Sequence, residues 1–467
     1  MGDSAHLFWE GVAYNLSPGP PLNAPDADDE SQNGDQVSVS VQEDAVYAKS
    51  LHDQSDYTLP LIVQNDKWEV EYESEKPVGT SSFWQATINT VSILFGMGML
   101  AIPYAAEQGG WFSLTLLLLF AVMCCFTGYI LGDCMRNNRL LNTYQDIAGE
   151  AMGLRGRLIF TIFLYLEILA CLVGHTISVG DNLAQIFPGL QSNLPWLHIR
   201  PSAFLASVAM LIMAPTVLMR DLSYVAYLSF GGILTSLTVV GAVAWTGVTD
   251  VGFTETIPFA RFGRWRFIIG LYAYCYSGHP VVPSIYSSMK DPSKFHGMLI
   301  LSFSIATVTY AGLALMGSSM FGETTLSQIT LNIPRNLTVA TVVLWTTVLT
   351  PLTKFALGIV PIATELESLL PFDSRSKLHW TVGTVIRLCI LLFIFAVAVA
   401  FPFFARTLDF IGSSLSITIS ILFPCAFDLI LHGRSMHKLR FVVDVVVLTV
   451  GTCFAVIGTW SSSNVLA

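Results

Sequence analysis

From residue 83 onward, long apolar runs alternate with short polar breaks, and each run can cross the roughly 30 Å of bilayer hydrocarbon as a helix. The pattern predicts about eleven spans, near 83–107, 111–134, 157–186, 201–219, 222–246, 266–289, 295–319, 336–368, 378–401, 404–431 and 440–461. The eighth exceeds one crossing and is expected to run on past the membrane as a helix. Two spans are interrupted near their middles. The first contains "LFGMGMLAIPYAAEQGGW", with Gly96 and Gly98 two apart and Pro103 close behind. The sixth contains "LYAYCYSGHPVVPSIYSSM", where Gly278 and Pro280 flank His279 and Pro283 follows.

The interrupted spans lie five apart, and five is odd. A second repeat of about 265–431 would therefore sit inverted relative to a first of about 80–246, with an extra helix near 440–461. One Gly/Pro kink says little, because such residues are common in membrane helices. Two at matching places in inverted halves point to the binding site of a transporter. The expected fold class is thus an all-α polytopic membrane protein with broken helices 1 and 6.

Composition sharpens this reading. The 467 residues are 53% hydrophobic and 12% charged, about half the charged content of a soluble domain. The net charge of −10 is unevenly spread. Residues 1–79 hold sixteen Asp/Glu against Lys49, Lys67 and Lys76, while the remainder carries twenty Lys/Arg and seventeen Asp/Glu. The tail is too acidic and too poor in apolar residues to offset its ordering entropy, and is expected to be a disordered cytosolic extension. With the tail cytosolic, twelve Lys/Arg fall in cytosolic loops and six on the other side, the sense of the positive-inside rule. The "RFGRWR" cluster before the sixth span is the main misfit. All eight cysteines lie in or beside apolar spans with no Cys-x-x-Cys pair, which favours neither a disulfide framework nor a metal site.

The interruptions suggest their own chemistry. Unwinding a helix at mid-membrane frees N–H and C=O groups that must find partners. One half-helix offers amides and a positive dipole end to a carboxylate; the other offers carbonyls to a cation or ammonium group. A zwitterionic amino acid carries both charges on one carbon. Gly96, Met97, Gly98 and Met99 in the first break, and Tyr276, Ser277, Gly278 and His279 in the second, are the candidate substrate-binding residues. Gly96 and Gly98 are expected to permit unusual backbone angles and close approach.

Ionisable and polar residues within spans are costly towards lipid and should face the bundle interior. Asn89 shares a face with Gln85, Ser92 and Gly96; Glu167 shares one with Cys171, Gly174, Ser178 and Asp181. Asn89, Glu167, His279, Thr346, Thr347 and Thr350 are the candidates for coupling to an ion or proton, the three threonines being equally readable as packing residues. Asp181, Asp428 and Asp444 lie near span ends, where solvation or pairing is expected, and Arg387 should snorkel or pair.

The segments "SFWQATINTVSILFGMGMLAIPYAAEQGGW" and "YAYCYSGHPVVPSIYSSM" resemble the two signature segments of the amino acid/auxin permease family. "YLEILACLVGHTISVGDNL" is similar to its plant vacuolar amino acid transporter branch, and the vesicular inhibitory amino acid transporter is a more distant relative. The resemblance covers about residues 80–462. It implies eleven spans, a LeuT-like five-plus-five core and secondary transport of amino acids. LeuT has a similar Gly-x-Gly break, echoed by Gly96, Gly98, Pro103, Glu107, Gly109 and Gly110. Asn89 matches an asparagine that sodium-coupled relatives place near their ion site, whereas the vacuolar branch is taken to run on protons. Pro280 stands where that branch usually has alanine.

The leading expectation is therefore a proton-coupled transporter of neutral amino acids in a vacuolar or other endomembrane, with sodium left open as the coupling ion. The alternative is a transporter-like amino acid receptor signalling through partners of its tail. Cofactors and metals are not expected, nor is nucleic acid; the expected partners are the amino acid and the bilayer. No Walker A, H-E-x-x-H or G-x-S-x-G motif is present, so an enzyme is not expected.

Overall fold

A computed structural model describes residues 79–138, 140–189, 200–218, 223–371 and 376–466. The acidic tail expected at 1–79 lies outside the described residues except for Gly79. Seven described helices are long and apolar enough to cross a membrane, or eight when the bent pair at the first break is taken as one span. The protein is an all-helical, multi-pass membrane protein.

The interrupted first span consists of α1 (Phe83–Leu94), a 3₁₀ segment Met97–Ala101 and α2 (Ile102–Gly109), bent by 50°. Then come α3 (Leu114–Asn137), α4 (Tyr144–Ile186), α5 (Pro201–Leu218) and α6 (Ser223–Thr246). The second interrupted region has α7 (Trp265–Cys275), a 3₁₀ turn His279–Val281 and α8 (Val282–Ser288). The remainder is α9 (Phe295–Phe321), α10 (Thr338–Ser368), α11 (Lys377–Ala400), α12 (Phe404–Ile411), α13 (Phe423–His432) and α14 (Lys438–Leu466).

Local sequence explains where α1 starts and stops. Ser82 and Gln85 form a capping box, each side chain satisfying the other residue's amide. After Leu94 the backbone leaves the helical region at Phe95 (φ −71°, ψ 52°) and is extended at Gly96 (φ −85°, ψ −165°). Those angles suit any residue, so the expectation that Gly96 supplies an unusual conformation is corrected. Pro103 sits in the first turn of α2, where its missing N–H costs nothing. Between α12 and α13 the chain runs through two π-helical stretches, Gly412–Ser416 and Thr418–Leu422.

Lipid tails give no hydrophobic drive for helix association, so close packing of small residues carries much of it. At the crossing of α7 and α12, a Cβ added to Gly412 would fall 1.9 Å from Gly270 O. Asp409, fully buried there, accepts from Gly270 N at 3.1 Å and from Ser462 on α14.

The interrupted pair is tied together at both ends. At the end marked by Ser81, the segment entering α1 pairs with the end of α8: Ser81 N donates to Ser288 O (2.8 Å) and Lys290 N to Ser81 O (2.9 Å). At the opposite end, called outer for the expected orientation, Arg261 pairs with Glu107 and Glu323, and Arg261 N donates to Gly109 O at 3.0 Å. Gly110 turns the chain at φ +78°, and a Cβ there would meet Pro258 O at 2.6 Å, so only glycine fits. Removing the clamp with Arg261→Ala should increase labelling of Cys171 by a membrane-impermeant maleimide several-fold, read by peptide mass spectrometry. Unchanged labelling would mean that Arg261 does not hold the outer end shut.

Candidate functional site

The two breaks meet face to face. A Cβ on Gly98 would lie 2.9 Å from both Cys275 Sγ and Tyr274 Cδ1, and 3.2 Å from Cys275 Cα. One on Gly278 would lie 3.5 Å from Ile93 and Leu94 side-chain carbons. Gly98 is thus needed for the approach of α7, and does not line open space. Gly96 does: its nearest neighbour in the Cβ direction is Ile93 O at 3.5 Å.

Several backbone groups freed by unwinding already have partners. Ser236 on α6 donates to Phe95 O at 2.9 Å. Tyr310 on α9, fully buried, places its hydroxyl on Leu94 O and, at 3.1 Å, on Cys275 O. One side chain therefore bridges the carbonyl ends of both interrupted spans. These carbonyls are not left open for an ammonium group, which narrows the sequence-based expectation. The amides of Met97 and Gly98 open the second half-helix, and neither has a backbone acceptor among the described residues. They are the free donors of this break, at the positive end of a helix. Tyr310→Phe should lower stability by about 1–3 kcal/mol by stranding buried acceptors. A melting temperature in detergent equal to the parent's would exclude this bridging role.

A small cavity of about 40 Å³ adjoins the first break, lined by Gly96, Met97, Met99, His175, Ser178, Ser236, Thr347 and Thr350 among others. That volume suits a water or so and is too small for an amino acid. Met97 rests on α4, its Cε 2.9 Å from where a Cβ on Gly174 would lie. Of the three candidate threonines, Thr347 and Thr350 line the cavity. Thr347 Oγ1 is buried with no hydrogen-bond partner, and Thr350 donates to Thr235 Oγ1 at 2.8 Å. Thr346 is not among the lining residues and donates to Val343 O within its own helix. Asn89 is half-buried, with no hydrogen bond among the described residues.

Glu167 on α4 is the ionisable centre of the second break. It is 4% exposed, and Oε1 accepts from Ser277 (2.7 Å) in the break and from Ser416 (2.6 Å) in the π-helical stretch. Ser420 lies 3.5 Å from Ser277. No Lys or Arg pairs with Glu167 among the described residues. Serine hydroxyls can donate to a carboxylate or turn to accept from a carboxyl, so this cluster serves either protonation state.

His279 points elsewhere. Its Nε2 contacts Cys124 O (3.0 Å) and Thr127 Oγ1 (2.9 Å) on α3, and Nδ1 is buried without a partner. Carbonyl contact assigns the proton to Nε2. The ring is directed at α3 and away from the cavity. Tyr276 also turns outward, stacked on Phe303 at 5.9 Å with its hydroxyl 2.9 Å from Thr307. In the second break, Ser277 and Gly278 face the partner elements of the site, while Tyr276 and His279 anchor the break to α9 and α3.

His175, Ser178, Ser236, Tyr310 and Ser416 were not among the sequence candidates. Their hydroxyls and ring sit in apolar helices with the look of packing residues, and only "GHTIS" offered a local signal. Arg387, buried near the middle of α11, pairs with Glu367 of α10 (2.8 Å), and at a span end Asp428 pairs with His432 and Arg440. Asp444 departs from expectation: it is buried beside Asp428, carboxyl against carboxyl, with no cation paired to it among the described residues.

Comparison with known proteins agrees with this architecture. Residues 79–464 match the family described as transmembrane amino acid transporter protein. Among relatives, amino acid transporter AVT1H of Arabidopsis thaliana is 40% identical over 85% of this chain and 95% of its own. AVT1B of the same plant is 39% identical over 82% of this chain and 71% of its own. The vesicular GABA transporter of Caenorhabditis elegans is 24% identical over 84% and 80%. A solved Na⁺-coupled sialic acid symporter is similar at 12% identity and a TM-score of 0.48, covering 81% of this chain and 89% of that one, a likeness on which nothing further rests. With the family matching nearly the whole helical region and relatives this similar, the chain belongs to the amino acid/auxin permease family of transmembrane amino acid transporter proteins.

Proposed function

We propose that this protein moves neutral amino acids across a vacuolar or other endomembrane by alternating access, coupled to protons. In this reading eleven spans form two inverted sets of five plus one further helix, and the tail is cytosolic. The observation that carries it is the facing pair of breaks. The free amide at Met97, a residue that lines the cavity, is suited to the substrate carboxylate. Glu167 and its serines, tied to the second break, are suited to a proton. Protonation of Glu167 would change its hydrogen bonds to Ser277 and Ser416 at once, which links charge to the relative position of α4, the second break and the π-helical stretch before α13. Thr347 and Thr350 adjoin the first break and would contribute to the cavity wall. His279 would hold the second break against α3.

Purified protein in liposomes, with pH and sodium controlled independently, tests the proposal. Uptake of neutral amino acids should follow an imposed pH gradient and be indifferent to sodium. Absence of gradient-dependent uptake across an amino acid panel would overturn it; a strict sodium requirement would overturn the proton coupling alone.

A further inference from the structure

The arginine cluster at the start of α7 borders a second cavity. A cavity of about 320 Å³ lies at the outer end, between the end of α2, the start of α7, the start of α12 and the end of α14. Arg264, Arg266 and Arg406 line it together with Tyr104, Phe267 and Trp460. Neighbouring Arg261 is spent on the clamp with Glu107 and Glu323, but the three cavity arginines have no carboxylate within salt-bridge distance among the described residues. Arg264 donates to the neutral Gln108 side chain at 2.8 Å, and Arg406 lies 4.8 Å from the centre of the Phe403 ring. Neither contact cancels a charge. Three like charges gathered around one hollow make its potential positive, which attracts an anion.

We propose that this cavity binds a phosphate group, with guanidinium forks engaging its oxygens. The volume exceeds what a halide ion would fill, and forked donors fit a tetrahedral oxyanion. Trp460 is 63% exposed, and it and Tyr104 each combine an apolar ring with one polar group. Such residues suit the headgroup region of a bilayer. The phosphate can therefore come from an anionic lipid headgroup or from free inorganic phosphate. Bound there, it would join α2, α7, α12 and α14 and stabilise the fold.

Thermal unfolding of the purified full chain distinguishes the sources. The protein is compared in nanodiscs of phosphatidylcholine alone and of phosphatidylcholine doped with phosphatidic acid, and in detergent with inorganic phosphate against chloride at equal ionic strength. Stabilisation by phosphatidic acid alone supports a lipid site; stabilisation by inorganic phosphate as well supports a free-oxyanion site. Arg266→Gln, at an exposed position with no ion pair among the described residues, should weaken binding of the stabilising ligand roughly tenfold, the loss of a charge-assisted hydrogen bond. Glutamine at Arg335, outside the cavity, should leave it unchanged. No stabilisation by either phosphate source, or equal stabilisation of Arg266→Gln and parent, would overturn the proposal.

Discussion

Glu167→Gln should abolish proton-driven accumulation of substrate while leaving substrate exchange across the membrane in place. The amide has the shape of the protonated carboxyl, so the serine contacts persist while the charge can no longer change. Ser277 and Ser416 would still hold α4 to the second break and to the π-helical stretch. Buried ionisable groups inside membrane helices are functional by default because lipid makes them costly. Glu167 has hydroxyls for company rather than a cation. The decisive measurement is uptake against external pH, run beside counterflow in the absence of a gradient. Accumulation at the parent level with an unchanged pH profile would remove Glu167 from the coupling role. The same assay on His279→Gln should show an unaltered pH profile, since the ring is packed on α3 and its Nε2 serves Cys124 O.

The second large effect is expected at Gly98. Gly98→Val should eliminate transport while the protein still inserts and folds. The first added carbon already sits 2.9 Å from Cys275 Sγ and Tyr274 Cδ1, and valine adds two methyls beyond it. Overpacking of this kind costs about 1–3 kcal/mol when neighbours can shift. Here the neighbour is the start of the other break, so the shift separates the two halves of the site. Gly96→Ala is the contrast: its backbone angles are ordinary and the Cβ direction is comparatively open, so it should retain substantial uptake. Normal uptake by a well-expressed Gly98→Val protein, or loss of uptake equal to that of Gly98→Val in Gly96→Ala, would contradict this account.

The two glycines show how far local reading reaches. The sequence marks them as a pair and ties them to an unusual backbone. Only the packed fold separates them, one at a helix contact and the other at a cavity wall, because the difference lies in what faces each absent Cβ. His279 and Tyr276 divide in the same way from Ser277 and Gly278. All four are adjacent in the chain, yet the turn sends two towards anchoring helices and two towards the site.

By itself the chain determined the membrane class, the presence of many long apolar helices, the two interruptions and the family likeness. These depend on composition and short-range pattern: hydrocarbon thickness sets run length, and helix-weakening residues mark breaks wherever they occur. Tertiary structure alone decided that Tyr310 bridges both sets of freed carbonyls and that Ser416 shares Glu167 with Ser277. It also placed four helices around three arginines that have no carboxylate partner among the described residues. Tyr310 and Leu94 are 216 residues apart, as Ser416 and Glu167 are 249 apart. A hydroxyl in an apolar helix reads the same whether it packs against its own backbone or completes a distant break. What distinguishes the two is the identity of the group across the helix interface, and that is set by the packing of the whole bundle.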